Sequence, residues 1–182
     1  GVIEKLDYLN DGQGGGLGID AIWFSPIFKS PQRDFGYDTS DYCNIDPGYG
    51  TLADYDRLVE ECHRRGIRIV LDLVLNHSSD LHPWFEESKQ DRTKPNQDWY
   101  VWVDPKDDGS VPNNWLSLFG GKAWTFNEAR GQYYIHSFLK EQPDLNWFNP
   151  EVRDELAKVV RFWMNRGTDG FRLDTVNFFA YD

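Results

Sequence analysis

With 182 residues, 40% of them hydrophobic and 27% charged, the chain has the make-up of a folded globular domain, which excludes a disordered or fibrous protein. A net charge of -11, a pI near 4.7 and no Lys/Arg cluster exclude nucleic acid and other polyanions as partners. Cys43 and Cys62 show neither metal-ligand spacing nor a disulfide framework, so neither zinc nor cross-linking is expected.

Along the chain, Ile3, Leu6 and Leu9 recur at helical spacing and predict a first helix. The glycine-rich run Asp11–Gly16 widens the turn into a strand over Ile19–Phe24; lying between helix and strand, it has the reverse order of a phosphate loop. A second helix starts at Thr51, capped with Asp54 three residues on, and carries Leu52, Tyr55, Leu58, Val59 and Cys62 on one face. His63–Arg65 fill its last turn, Gly66 ends it, and the strand Ile67–Val74 follows at once.

From His77 to Asn149 the repeat stops. The stretch is rich in Trp, Asn, Asp and Gly and too long for an ordinary connection, so it reads as a small inserted subdomain. Trp84, Trp99, Trp102, Trp115 and Trp124 are expected to form its miniature core. Asn149 as cap and Pro150 at the first helical position then open a third helix, with Val152, Leu156, Val159, Val160 and Trp163, ended by Arg166-Gly167. Gly170–Asp174 is the next strand.

Strands alternating with helices predict a parallel sheet, and polar residues at strand C-termini are where a (β/α)₈ barrel places its chemistry. The 16% aromatic content, including 8 Trp, raises the expectation of a carbohydrate ligand, since sugar rings stack on aromatic planes. Arg172 and Asp174, two residues apart on one strand, project to the same side, so the guanidinium can hold the carboxylate ionised and oriented. Taken alone, that spacing reads as a buried structural ion pair.

Four stretches together resemble the α-amylase superfamily of glycoside hydrolases, and within it the α-glucosidase and oligo-1,6-glucosidase group. They are Asp34–Tyr42 (DFGYDTSDY), Asp72–His77 (DLVLNH), Gln142–Trp147 (QPDLNW) and Gly170–Asp174 (GFRLD). The resemblance covers essentially the whole chain. It implies an α/β fold in the form of an incomplete (β/α)₈ TIM barrel, about strands 2 to 4, with a small subdomain inserted after the third barrel strand. Residues 1–76 and 149–182 would belong to the barrel and 77–148 to the insertion.

The resemblance implies a retaining mechanism, which uses two carboxyl groups about 5 to 5.5 Å apart. Asp174 matches the catalytic nucleophile, and the general acid is expected from a later strand outside this chain. Substrate-binding roles are implied for Asp34 and Tyr37 on the terminal glucose, His77 in the reacting subsite, and Phe138, Gln142 and Arg172 around the pocket. Asp72 resembles a structural partner of Arg172, Asn76 a positioning residue, and Asp38, Asp41 and Tyr42 scaffold. Thr175 resembles maltase-type members that prefer α-1,4 bonds.

The expected function is release of terminal α-linked glucose from short oligosaccharides by the whole enzyme, the isolated piece being inactive. Glucosyl transfer or sugar isomerisation on the same site, and a non-catalytic transporter-associated relative, are the alternatives. No cofactor is expected within the chain, a calcium or magnesium site being possible upstream. The expected partner is a small α-glucoside. No run is long enough to span a membrane and Gly1–Lys5 is no signal peptide, so the expected location is cytoplasmic, although the first residue is not Met and targeting sequence could precede it.

Overall fold

The computed structural model describes residues 1–180. In chain order its strands are β1 (Ala21–Phe24), β2 (Phe28–Lys29), β3 (Asp41–Ile45), β4 (Arg68–Val74), β5 (Trp102–Val103), β6 (Trp124–Asn127), β7 (Gln132–Ile135) and β8 (Gly170–Asp174). Its α-helices are α1 (Leu6–Leu9), α2 (Leu52–Arg64), α3 (Pro83–Ser88) and α4 (Pro150–Asn165).

A three-stranded parallel sheet in the order β1-β4-β8 lies at the centre. Strand β4 takes the middle place because it is apolar on both faces: Ile69, Leu71, Leu73 and Val74 are buried, with Asp72 the exception. Helix α2 begins at the expected capping box, where Thr51 Oγ1 accepts from the Asp54 N–H at 3.2 Å and Asp54 Oδ2 from the Thr51 N–H at 2.9 Å. It buries Tyr55, Val59 and Cys62. Asn149 caps α4 by accepting from the Glu151 N–H at 2.9 Å, and α4 buries Val152, Leu156, Val159 and Trp163.

Both helices end in the same six-to-one and five-to-two hydrogen-bond pattern around a left-handed glycine. Ile67 and Gly66 donate to the carbonyls of Cys62 and His63, and Thr168 and Gly167 to those of Trp163 and Met164. Trp163 ties α4 to the hairpin β2–β3. Its indole stacks on Phe28 with centroids 4.8 Å apart, and Nε1 donates to the Tyr42 carbonyl at 2.7 Å.

Four sequence expectations need correction. The first helix divides into a 3-10 turn over Val2–Lys5 and a single α turn, because four residues from Leu6 to Leu9 reach only one buried side chain, Leu6. The strand expected from Ile19 starts at Ala21. The hairpin β2–β3 was not anticipated. Nor do the inserted tryptophans make a core of their own: Trp84, Trp99 and Trp102 lean on the main core beside Phe85, Tyr100 and Tyr134, Trp124 joins a small cluster with Ala123 and Ile135, and Trp115 is 40% exposed.

Between β4 and α4 the chain builds α3 and an antiparallel sheet in the order β5-β7-β6, closed at its base by bridges between His77 and Asp144 and between Tyr100 and Leu145. The parallel sheet does not close into a barrel among the described residues. Strands β1 and β8 are its two edges, and Trp23 and Leu173 on them are 53% and 45% exposed.

Gly66 and Gly167 share a left-handed backbone, with φ of +72° and +91°, but differ in surroundings. A Cβ at Gly66 would meet nothing within 4 Å, whereas one at Gly167 would lie 2.6 Å from Val59 Cγ1. Gly66→Ala is expected to cost about 1 kcal/mol through backbone strain alone. Gly167→Ala is expected to cost at least about 1 kcal/mol more, because α2 must move away from α4. Urea denaturation of the two variants checks this, and equal losses would contradict the close packing of the helices.

Candidate active site

The parallel register sets Arg172 beside Asp72 and Asp174 beside Val74. Because alternate residues of a strand share a face, Arg172 and Asp174 point to the same side. Arg172 Nη1 donates to both oxygens of Asp72 at 3.0 Å and to Asp174 Oδ1 at 2.5 Å. Asp174 is 8% exposed, and its second oxygen has no partner among the described residues. Asp72 is fully buried; burial raises its carboxyl above the usual range, and the Arg172 and Tyr37 hydrogen bonds oppose that rise. The Tyr37 hydroxyl donates to Asp72 Oδ2 at 3.1 Å. Burial first, and the Asp72 charge second, push its pKa up to about 12, so the phenol stays a donor.

The segment Asp34–Asp38 is held from beneath by Asp38, which accepts from the Ser30 hydroxyl and from the N–H groups of Arg33 and Asp34 at 2.9, 3.0 and 3.1 Å. It turns through left-handed Phe35 and Gly36, with φ of 49° and 98°. Only glycine fits at position 36, since a Cβ there would lie 2.9 Å from the Pro26 carbonyl oxygen. Asp34 and Tyr37 flank this turn, the first reaching Gln142 and the second Asp72. Gln142, fully buried, accepts from the Leu139 N–H through Oε1 and donates through Nε2 to Asp34 Oδ2 at 2.9 Å.

His77 is the junction of these parts. The Asn76 side-chain amide lies 3.3 Å from Nδ1 and also donates to Asp144 Oδ1 at 3.1 Å. With Nδ1 receiving that hydrogen, we assign the ring proton to Nε2, which then donates to the Tyr37 carbonyl at 3.2 Å. Gln142 Nε2 also approaches His77 Nε2 at 3.2 Å, but with the ring proton there two donors face each other, and the amide donates to Asp34. The Phe138 ring packs on the imidazole with centroids 5.1 Å apart, and Tyr42 donates to the His77 carbonyl at 2.7 Å.

All seven residues singled out in the sequence therefore come together. Asp34, Gln142, His77, Tyr37, Arg172 and Asp174 form a chain of polar contacts through Asp72, and Phe138 covers His77. Asp144 is the member that sequence reasoning missed. It lies inside the Gln142–Trp147 stretch, but its partner Asn76 is 68 residues away, and no local pattern encodes that pairing. Glu141 pairs with Arg33 at 3.2 Å, and Glu128 is exposed. Among the described residues no three His, Cys, Asp or Glu side chains are grouped as a metal site.

Burial shifts His77 and Asp144 in opposite senses. It lowers the His77 pKa to about 4, against the hydrogen bond to Tyr37, and raises that of Asp144 to about 7, against the hydrogen bonds from Ser137 and Asn76. As pH falls from about 6.5 to about 4, His77 takes up a proton only in the unfolded chain, which costs stability. Across the same window Asp144 is protonated only in the folded chain, which adds stability, so the two largely offset. Asp144→Asn removes the second contribution. The variant is expected to lose up to about 3 kcal/mol between pH 7 and pH 4 relative to the parent, read from denaturant midpoints at each pH. A parallel pH dependence in both proteins would contradict the linkage.

Comparison with known proteins follows the same lines. The whole chain, residues 1–182, matches the model of the alpha amylase catalytic domain. It is 59% identical to a probable alpha-glucosidase of Rhizobium meliloti (strain 1021), covering 100% of this chain and 32% of that protein. It is 53% identical to an oligo-1,6-glucosidase of Heyndrickxia coagulans, covering 97% of this chain and 31% of that one. Among solved structures, the alpha-glucosyl transfer enzyme XgtA superposes with a TM-score of 0.95 at 57% identity, over 100% of this chain and 33% of that one. The chain thus spans about a third of the length of the curated relatives it matches. A family model matched from end to end, together with strand-end carboxylates in the arrangement described above, shows that this chain belongs to the alpha-amylase catalytic-domain family.

Proposed function

We propose that this chain carries the nucleophile and the glucose-gripping half of a retaining α-glucosidase site within a (β/α)₈ barrel, residues 77–148 forming the inserted unit. The observation that carries the reading is Asp174 at the end of a parallel strand, one oxygen held by Arg172 at 2.5 Å and the other without a partner among the described residues. In the first step Asp174 attacks the anomeric carbon and forms a C–O bond as the glycosidic C–O bond breaks. The leaving oxygen takes a proton from a carboxylic acid, which we assign to a later barrel strand beyond this chain. In the second step water displaces Asp174, releases glucose with retained configuration and returns the proton to that acid.

Arg172 holds the carboxylate oriented for attack. Neutral His77 can redirect its Nε2–H from the Tyr37 carbonyl to a sugar hydroxyl, where a pre-set donor favours developing charge. Asp34 accepts sugar hydroxyls, Tyr37 offers its ring, and Phe138 and Gln142 hold the wall beside them. The likeness to an alpha-glucosyl transfer enzyme supports a second reading, in which a sugar hydroxyl takes the place of water in the second step.

Restored to a complete barrel, the protein is expected to hydrolyse a chromogenic α-glucoside, and Asp174→Ala to reduce turnover on the order of 10⁴-fold. Parent-like turnover in that variant would overturn the assignment of the nucleophile. The ratio of free glucose to new disaccharide separates hydrolysis from transfer.

Linkage preference turns on Thr175, whose hydroxyl is buried without a hydrogen-bond partner beside Asp174. Its likeness to the residue of maltase-type members supports a preference for α-1,4 bonds, so maltose is expected to turn over faster than isomaltose. Faster isomaltose cleavage would reject that preference while leaving the nucleophile in place.

A further inference from the structure

A second concavity, of about 650 Å³, lies between the hairpin β2–β3 and the start of α3. That volume is within the usual range of small-molecule sites, about 300 to 1,000 Å³. Lys29, Pro31, Ser40, Asp41, His82 and Trp84 line it, and no residue of the Asp34–His77–Asp174 cluster does.

Its polar groups are left open. Lys29 and Asp41 stand opposite each other in the hairpin register, yet neither forms an ion pair among the described residues. Asp41 accepts from the Cys43 N–H through Oδ1, and its other oxygen has no partner among the described residues. His82 is only 5% exposed, and its Nδ1 accepts from the Trp84 N–H at 3.1 Å, which puts the ring proton on Nε2. Nε2 has no partner among the described residues. Among the described residues the sealed, unpaired side-chain atoms are Thr39 Oγ1 and Thr175 Oγ1, so the N–H of His82, a residue lining the cavity, keeps some accessible surface. Trp84 stacks on Tyr42 with centroids 5.6 Å apart and leaves its indole N–H unpaired.

The mixture restricts the ligand. An anion would meet the Asp41 carboxylate, a cation would meet Lys29, and a wholly apolar molecule would leave the His82 N–H dry and unpaired. Burial keeps His82 neutral, with its pKa lowered to about 3, so it offers a donor without a charge. A ring that carries hydroxyls at its rim and C–H groups on its faces satisfies the carboxylate, the ammonium, the imidazole N–H and the flat Pro31 and Trp84 walls together. We propose that this concavity is a second binding site for a neutral saccharide, separate from the Asp174 site.

An S-linked maltotriose, whose thioglycosidic bonds resist cleavage, titrated by calorimetry into the protein with its complete barrel is expected to fill two sites per chain. The double variant Lys29→Met, Asp41→Asn is expected to weaken one of them by at least about tenfold and to leave the other unchanged. It should also keep parent-like turnover of a chromogenic α-glucoside. A single site in the parent, two unchanged sites in the variant, or loss of both sites at once would overturn the proposal. So would displacement of the sugar from this site by inorganic phosphate. Failure of the catalytic reading looks different: the parent would then lack turnover and still bind sugar at the site that depends on Lys29 and Asp41.

Discussion

Asp72 is a carboxylate with no exposed side-chain surface in the middle strand of the sheet, and what surrounds it follows from the need to compensate that charge. Arg172 supplies the compensation from the neighbouring strand with two contacts of 3.0 Å, and Tyr37 adds a third from the loop after β2. The same guanidinium nitrogen reaches Asp174. A demand set by burial at one position therefore fixes the side chain that also orients the Asp174 carboxylate two residues farther along. Replacing Arg172 would leave Asp72 uncompensated and Asp174 unheld at once, because both rest on one group.

The remaining members arrive from three other segments, and each is fastened by a contact far apart in sequence. Asp34 is fastened to Gln142, 108 residues away, and the Asn76 amide bridges His77 to Asp144. These contacts join the loop before β3, the end of β4 and the segment returning from the insertion. The site is thus a junction between the parallel sheet and the excursion that overhangs it, and its geometry depends on both being folded.

Features encoded by neighbours in sequence were legible. Thr51 with Asp54, Asn149 with Pro150, and the glycines at 66 and 167 marked the helix ends, since capping involves residues within a few positions. The candidate site residues could be named because four short stretches resemble a family, and the structure sets those side chains in contact, which is all that it adds to their naming. What stayed hidden depends on distant partners. Strand β2 has only two residues, Phe28 and Lys29, too few for an alternating pattern, and it exists because Trp163 of α4 stacks on Phe28. The inserted tryptophans could not be assigned to one core or another, since composition does not say which surface a side chain will meet. Asp144 carried no mark of its role because its partner is set by tertiary structure.

The bridge between His77 and Asp144 has a consequence for the order of folding. Asp72 and Arg172 are 100 residues apart, and bringing such distant parallel strands together is entropically slow. Once His77 pairs with Asp144, the excursion between them is a closed loop, and only about a third of the original separation remains to be spanned. Closure of the segment between β4 and α4 on itself therefore shortens the path by which α4 and β8 reach the sheet. A segment that overhangs the site would thus also govern how fast the strand bearing Asp174 can dock.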